Sequence, residues 1–163
     1  MRPIQIIVGS MLGGTEYVAE ACEETLNEHG HNVKIHLQPD FNTIINDTFS
    51  KDNQPKTDDN LDEKAIWLIC TSTHGAGDYP DNFKQFASDL ANCDQDLSTV
   101  QFLTIGIGDS NYDTFCKAAQ DISTLLISAT CNQLCENKNF DMSEDIDPED
   151  LAQQWIKTKL DLL

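Results

Sequence analysis

Apolar residues in this chain gather into short dense runs. Each is followed by a Gly-rich polar stretch and then by apolar residues spaced three and four apart. The runs are Ile4–Val8, Ala65–Cys70 and Phe102–Ile105, rich in branched or aromatic side chains. Continuous apolar runs of this length mark strands buried on both faces, and the spacing that follows each marks a helix with one inward face. The pattern predicts strands over Pro3–Gly9, Lys64–Ser72 and Thr99–Gly106, the first of them central.

Helices are predicted over Thr15–His29, Pro80–Asn92 and most of Tyr112–Thr130. The first turns Val18, Ala21, Cys22, Thr25 and Leu26 inward and is closed by Gly30. The second buries Phe83, Phe86, Ala87 and Leu90, and the third Ala118, Ala119, Ile122, Leu125 and Leu126. Asn32–Leu37 alternates Val33, Ile35 and Leu37 with polar residues, as a half-exposed edge strand does. Phe41, Ile44, Ile45 and Phe49 predict a short docked helix, whereas Ser50–Asn60 lacks any strongly apolar residue and reads as a flexible polar loop. Asn132–Phe140 is the place for a last strand, although its pattern is weak. The final helix is well punctuated, with Asp147 as cap, Pro148 at its first position, and Glu149 and Asp150 in its first turn. Its inward stripe is Leu151, Trp155, Ile156, the stem of Lys159, and Leu162.

Strand, Gly-rich turn and helix in repetition spell a parallel α/β sheet of five strands and four or five helices. Ligands of such sheets bind at the carboxyl ends of the strands, where the strand order reverses. A chain of 163 residues makes one domain, residues 1–163, that buries about 70% of its unfolded surface without metals or disulfides. No apolar stretch approaches the ~20 residues that span a bilayer, and Met1-Arg2-Pro3 runs straight into the first strand. The expectation is a soluble, cytoplasmic chain that binds no membrane. The six cysteines form no C-x-x-C; Cys22 and Cys70 fall on core faces, where a thiol behaves as a small hydrophobe, and no metal site is expected.

The Gly-rich stretches are candidate chemistry. In Gly9-Ser10-Met11-Leu12-Gly13-Gly14-Thr15, glycines and small hydroxyls let successive N–H groups point at one anion, reinforced by the helix that follows. The loop holds no Lys or Arg and matches neither G-x-x-x-x-G-K-[ST] nor G-x-G-x-x-G, which leaves a monophosphate bound without a counter-charge. The other two loops offer flat side chains, His74 and Tyr79 in one and Tyr112 and Phe115 in the other, suited to a planar ligand between them. Charge narrows the partners: 28 acidic residues stand against 10 basic ones, for a net charge of −18. Arg2 and nine scattered lysines make no phosphate-binding patch, so nucleic acid is not an expected partner. The acidity serves either solubility or steering toward basic proteins.

Taken together, three ordered motifs resemble the flavodoxin family. Ser10-x-x-Gly13-x-Thr15 is similar to its phosphate loop, T/S-x-T-G-x-T. Thr73-His74-Gly75-Ala76-Gly77-Asp78 with Asp81-Asn82 is similar to the T-Y-G-x-G-D…D-N loop of diflavin reductases. Gly106-x-Gly108-Asp109-Ser110-x-Tyr112-x-x-Phe115-Cys116 resembles the G-x-G-D-S-x-Y-x-x-F-C segment. The likeness spans nearly the whole chain and is nearest to the MioC-type short-chain flavodoxins.

The resemblance implies a doubly wound five-stranded parallel sheet in the order 2-1-3-4-5, with helices on both faces, and FMN as cofactor. Ser10, Met11, Leu12, Gly13, Gly14 and Thr15 would hold the phosphate. Tyr112 would stack on one face of the ring, and His74 would take the place usually held by Trp or Tyr on the other. Thr73, Gly75, Ala76, Gly77, Gly108, Asp109, Asn111 and Phe115 would border the ring. Gly75 stands where the family's peptide turns its carbonyl toward the flavin on reduction. Leu12 and His74 depart from the family pattern. The implied role is a monomeric one-electron carrier without a catalytic residue of its own, serving a basic flavodoxin or ferredoxin–NADP reductase and downstream acceptors. An FMN-dependent NAD(P)H:quinone oxidoreductase of the same fold is the alternative. A phosphoacceptor domain would need acidic residues where Gly9-Ser10 and Ser72-Thr73 stand.

Overall fold

A computed structural model describes residues 3–11, 13–50 and 64–163. The first four strands along the chain are β1 (Ile4–Gly9), β2 (Val33–His36), β3 (Ala65–Ser72) and β4 (Val100–Gly108). The helices between them are α1 (Gly14–Glu28), α2 (Phe41–Phe49), α3 (Asp81–Ala91) and α4 (Lys117–Ser128). Two short strands, β5 (Asn132–Gln133) and β6 (Lys138–Asp141), precede α5 (Pro148–Lys157). All strand pairs are parallel, in the order β2-β1-β3-β4-β5, and β6 also pairs with β4. The register sets Ile6 beside both Ile35 and Leu68, and Leu68 beside Leu103.

Every residue of β1 is buried, as the unbroken apolar run predicts. Alternate side chains feed two cores. On one face Ile7, Trp67, Ile69 and Phe102 meet Ile44 of α2, Phe83, Phe86 and Leu90 of α3, and Ile122 and Leu126 of α4. On the other, Ile6, Val8, Leu68, Leu103 and Ile105 meet Val18, Cys22 and Leu26 of α1 and Ala152 and Ile156 of α5. Helices therefore cover both faces, as the family resemblance implies. All five inward positions predicted for α1, and all four for α3, are buried. The docked helix forms as expected and starts at Asp40, whose carboxylate accepts hydrogen bonds from the Thr43 N–H at 2.9 Å and hydroxyl at 2.6 Å. Asp147 caps α5 likewise through the Asp150 N–H at 3.2 Å. The flexible loop expected over Ser50–Asn60 lies, beyond Ser50, outside the described residues.

Two expectations need correction. The last strand is not continuous: residues 134–137 separate β5 from β6, and within this interruption the Asn137 side chain is hydrogen-bonded. Its Oδ1 accepts from the Ser123 hydroxyl at 3.0 Å and from the Gln133 amide at 2.9 Å. Second, α5 stops at Lys157, which leaves Leu162 in a closing 3-10 turn at 43% exposure and off the inward stripe. Most of Tyr112–Thr130 is helix as expected, in α4, which begins at Lys117 after Cys116 at φ 51°, in the left-handed region.

Cys22, Cys70, Cys116 and Cys131 are buried, whereas Cys93 and Cys135 are half-buried. Burial pushes the Cys22, Cys116 and Cys131 thiols up to about 12 and raises Cys70 and Cys135 as well. Since the thiolate is the reactive form, iodoacetamide at pH 8 is expected to label native Cys93 first and the four buried thiols only after unfolding. Mass spectrometry of a labelling time course measures this; early label on Cys22 or Cys131 would contradict the packing.

Candidate functional site

β1, β3 and β4 end level with one another, with Gly9 beside Thr71, Thr71 beside Gly106 and Ser72 beside Ile107. The chain leaves β1 toward β2 on one side and returns to β3 on the other, so this is the point where strand order reverses. The segments that follow these strands enclose one crevice.

In the first loop, Gly13 adopts φ 85°, a conformation for which glycine is suited, and its N–H donates to Ser10 Oγ at 3.0 Å. Gly13 brings no side chain to cap α1, so the first N–H groups of that helix lack an internal partner. Asn82 fixes the loop from behind. Its Oδ1 accepts from the Ser10 N–H at 2.9 Å, and its Nδ2 donates to Val8 O and Leu37 O, each at 3.0 Å. Met11 Sδ accepts from the Asp81 N–H at 3.1 Å. Leu12 lies outside the described residues.

The second loop is a tight reversal in which His74 N–H donates to Asp78 O at 2.8 Å and Asp78 N–H to His74 O at 2.7 Å. Gly75, at φ 53°, and Gly77, at φ 104°, permit it. A side chain at Gly77 would meet Lys117 Cδ at 2.6 Å and Thr114 Cγ2 at 3.3 Å, so this loop lies directly against the third loop and the start of α4. Thr73 Oγ1 accepts from the Ala118 N–H at 3.1 Å and supplies the cap that Cys116 does not. In the third loop the Asp109 carboxylate accepts from the Asn111 N–H at 2.9 Å, and the Asp109 carbonyl accepts from the Tyr112 N–H at 3.1 Å. Tyr112 is left 67% exposed, beside half-buried Phe115.

The crevice has two halves. One, of about 510 Å³, is bordered by Ser10, Met11, Gly14, Thr15, Thr73 and His74, together with Pro148 and Glu149 of α5. The other, of about 420 Å³, is bordered by Thr73, Gly75, Gly108, Asp109, Tyr112, Phe115 and Cys116. Ser72, Thr73, Ile107 and Met142 border both, so the halves adjoin. Each is within the size range of small-ligand clefts. His74 borders the half with the first loop, not the half that Tyr112 borders. Gly13, Ala76, Gly77 and Asn111 border neither; Gly13, Gly77 and Asn111 serve the turns that hold the loops. Among the described residues no Lys or Arg borders the crevice, and Glu149 does.

The donor set fits FMN. One end offers the uncapped start of α1 with the Ser10 and Thr15 hydroxyls, a site for a phosphate. The other offers aromatic rings beside apolar and backbone groups, a site for a flat heterocycle. Sequence reasoning missed Ser72, Ile107, Met142, Pro148 and Glu149. Ser72 and Ile107 are strand-end positions that the predicted strands already implied. Met142 and Glu149 follow the weakly patterned last strand, where no signal pointed to the crevice.

Fold and crevice together define a doubly wound α/β protein with a cofactor site at its switch point. Residues 6–155 match the family described as flavodoxin, and the chain belongs to the flavodoxin family, a family of FMN-binding electron-transfer proteins. It is 42% identical to the MioC homolog of Pasteurella multocida over 94% of this chain and 92% of that one. It is 37% identical to protein MioC of Escherichia coli K12 over 100% of this chain and 99% of that one. Among solved structures, a cysteine-to-alanine variant of the Pseudomonas aeruginosa flavodoxin shares the fold with a TM-score of 0.80 at 23% identity, covering 96% of this chain and 95% of that one. The flavodoxin of Streptococcus pneumoniae TIGR4 does so with a TM-score of 0.75 at 24% identity, covering 98% and 99%.

Proposed function

We propose that this chain holds FMN in the crevice and passes single electrons from a basic NADPH-dependent flavodoxin reductase to acceptor proteins. It would act as a cytoplasmic monomer with no substrate site of its own. The observation that carries this reading is that the two halves adjoin, one suited to a phosphate and the other to a flat ring. Bound there, FMN supplies one-electron redox chemistry. The α1 N-terminus, Ser10 and Thr15 hold its phosphate without help from a cation. Tyr112 and Phe115 border the ring, and Thr73, Gly75, Gly108 and Asp109 line its edge. Asp78, Asp81, Asp109 and Asp113 surround this end of the molecule and disfavour further negative charge on the ring. The same acidic rim steers a basic partner to the exposed Tyr112 edge, and added salt weakens that steering.

The test is a titration of the purified chain with FMN, followed by reduction. Saturable 1:1 quenching of flavin fluorescence is expected. NADPH with a flavodoxin reductase should reduce the loaded protein at a rate that falls as salt rises, whereas NADPH alone should act slowly. A chain that takes up no FMN refutes the cofactor assignment. Rapid reduction by NAD(P)H alone points instead to a quinone reductase of the same fold.

A further inference from the structure

The three loops do not enclose the crevice alone: Met142, in the turn after β6, and Pro148 and Glu149 of α5 also border it. The segment Asp141–Ser143, from the last residue of β6 into that turn, is tied to the third loop at two levels. The backbone continues the β4–β6 pairing: Asp141 lies beside Gly108, and the Met142 N–H donates to Gly108 O at 2.7 Å. The side chains then add a staple centred on one carboxylate oxygen. Asp141 Oδ1 accepts from the Ser110 N–H at 3.0 Å, the Ser143 N–H at 3.0 Å and the Ser143 hydroxyl at 2.7 Å. Ser110 Oγ lies 3.1 Å from Ser143 Oγ. These hydrogen bonds to the ionised form hold the Asp141 carboxyl well below the usual carboxylate range. Ser110 sits within the loop that carries Asp109 and Tyr112, so the staple fixes that loop to the turn.

The turn places Met142 at the crevice. Met142 borders both halves, yet it is 44% exposed. Its side chain is thus accessible to a ligand lying across the boundary of the two halves. A thioether is polarizable and makes favourable contacts at the edges of aromatic rings.

We propose that Asp141–Ser143 is a fourth cofactor-binding segment, in which Met142 packs against bound FMN where the two halves meet and Asp141 positions the Gly108–Tyr112 loop. This rests on the FMN reading above and extends it to residues beyond the three loops. Met142 is the contact, and Asp141 is a positioning residue that acts through Ser110.

The experiment measures FMN dissociation constants by fluorescence for the wild-type chain and for Met142→Ala, Met142→Leu, Asp141→Asn and Ser143→Ala. Amide hydrogen exchange across residues 108–112 and the melting temperature of each FMN-free protein complete it. Met142→Ala should bind FMN about 3- to 10-fold more weakly with an unchanged melting temperature, and Met142→Leu should recover most of the loss. Asp141→Asn should weaken binding and speed exchange at residues 110–112. Ser143→Ala, which removes one donor from the same oxygen, should do both to a smaller degree and decides the point should Asp141→Asn fail to fold. Wild-type affinity in Met142→Ala overturns the contact, and wild-type affinity with unchanged exchange in the two staple variants overturns the positioning role. Failure of the wild-type chain itself to bind FMN brings down the cofactor reading first, an outcome distinct from these.

Discussion

FMN binding is expected to weaken about 10- to 100-fold in a Tyr112→Ala variant, while the FMN-free protein keeps its stability. The ring is 67% exposed and borders the half of the crevice suited to a flat ligand. Truncating it therefore removes little packing from the fold itself. It does remove a stacking platform, and stacking of a heterocycle on an aromatic side chain contributes about 1–3 kcal/mol. Tyr112→Phe keeps the platform and should retain most of the affinity. Fluorescence titration measures both variants, with thermal melting of the FMN-free forms as control. An unchanged dissociation constant in Tyr112→Ala would remove this residue from the site.

The second large effect concerns the sheet that holds the site. Trp67 is fully buried and packs edge-on against Phe86, with ring centroids 6.3 Å apart. Its Nε1–H donates to Thr48 Oγ1 at 3.0 Å, and the Thr48 hydroxyl donates to Ile44 O at 2.7 Å, which ties α2 to β3. Trp67→Ala is expected to cost about 3–5 kcal/mol, through the cavity it leaves and the partner it takes from Thr48. At about 2–4 °C per kcal/mol for a chain of this size, the melting temperature should fall by roughly 10 °C. Denaturant unfolding gives the free energy directly, and a loss below about 1 kcal/mol would contradict the packing described. Trp67 lies at the start of β3, remote from the crevice, so FMN affinity of the folded fraction should not change.

The parts of the fold legible in the sequence are those where local pattern and tertiary burial agree. β1 is buried on both faces and reads as an unbroken apolar run; α3 buries one stripe, and Phe83, Phe86, Ala87 and Leu90 show it directly. The three loops are legible because glycine and small hydroxyls stand where positive φ angles or close approach require them, as at Gly13 and Gly77. The sequence is silent on a conformation or a contact that has no local signature. The left-handed turn at Cys116 precedes α4, and nothing about a cysteine announces that conformation. Within the break of the last strand, Asn137 Oδ1 accepts from the Ser123 hydroxyl, a partner 14 residues away that no local pattern announces. The Met142 side of the crevice depends on that strand's placement, so Met142 and Asp141 were invisible until the pairing with β4 was known.

That break also sets a phase. From Gln133 to Lys138 the chain advances five residues, while the partner strand advances only three, from Phe102 to Ile105. Two residues are thus looped out, and two is one full repeat of a strand's in–out alternation. Phe140 consequently still points into the core, although everything beyond the break has been drawn back by two positions along the sheet. Without the slack, Asn139 would stand beside Gly108 in place of Asp141, and the carboxylate and thioether would overshoot the end of the sheet. An even-numbered irregularity thus lets the edge strand be adjusted in reach without being turned over. The hydrophobic interior and the rim of the cofactor crevice can vary in length independently of one another.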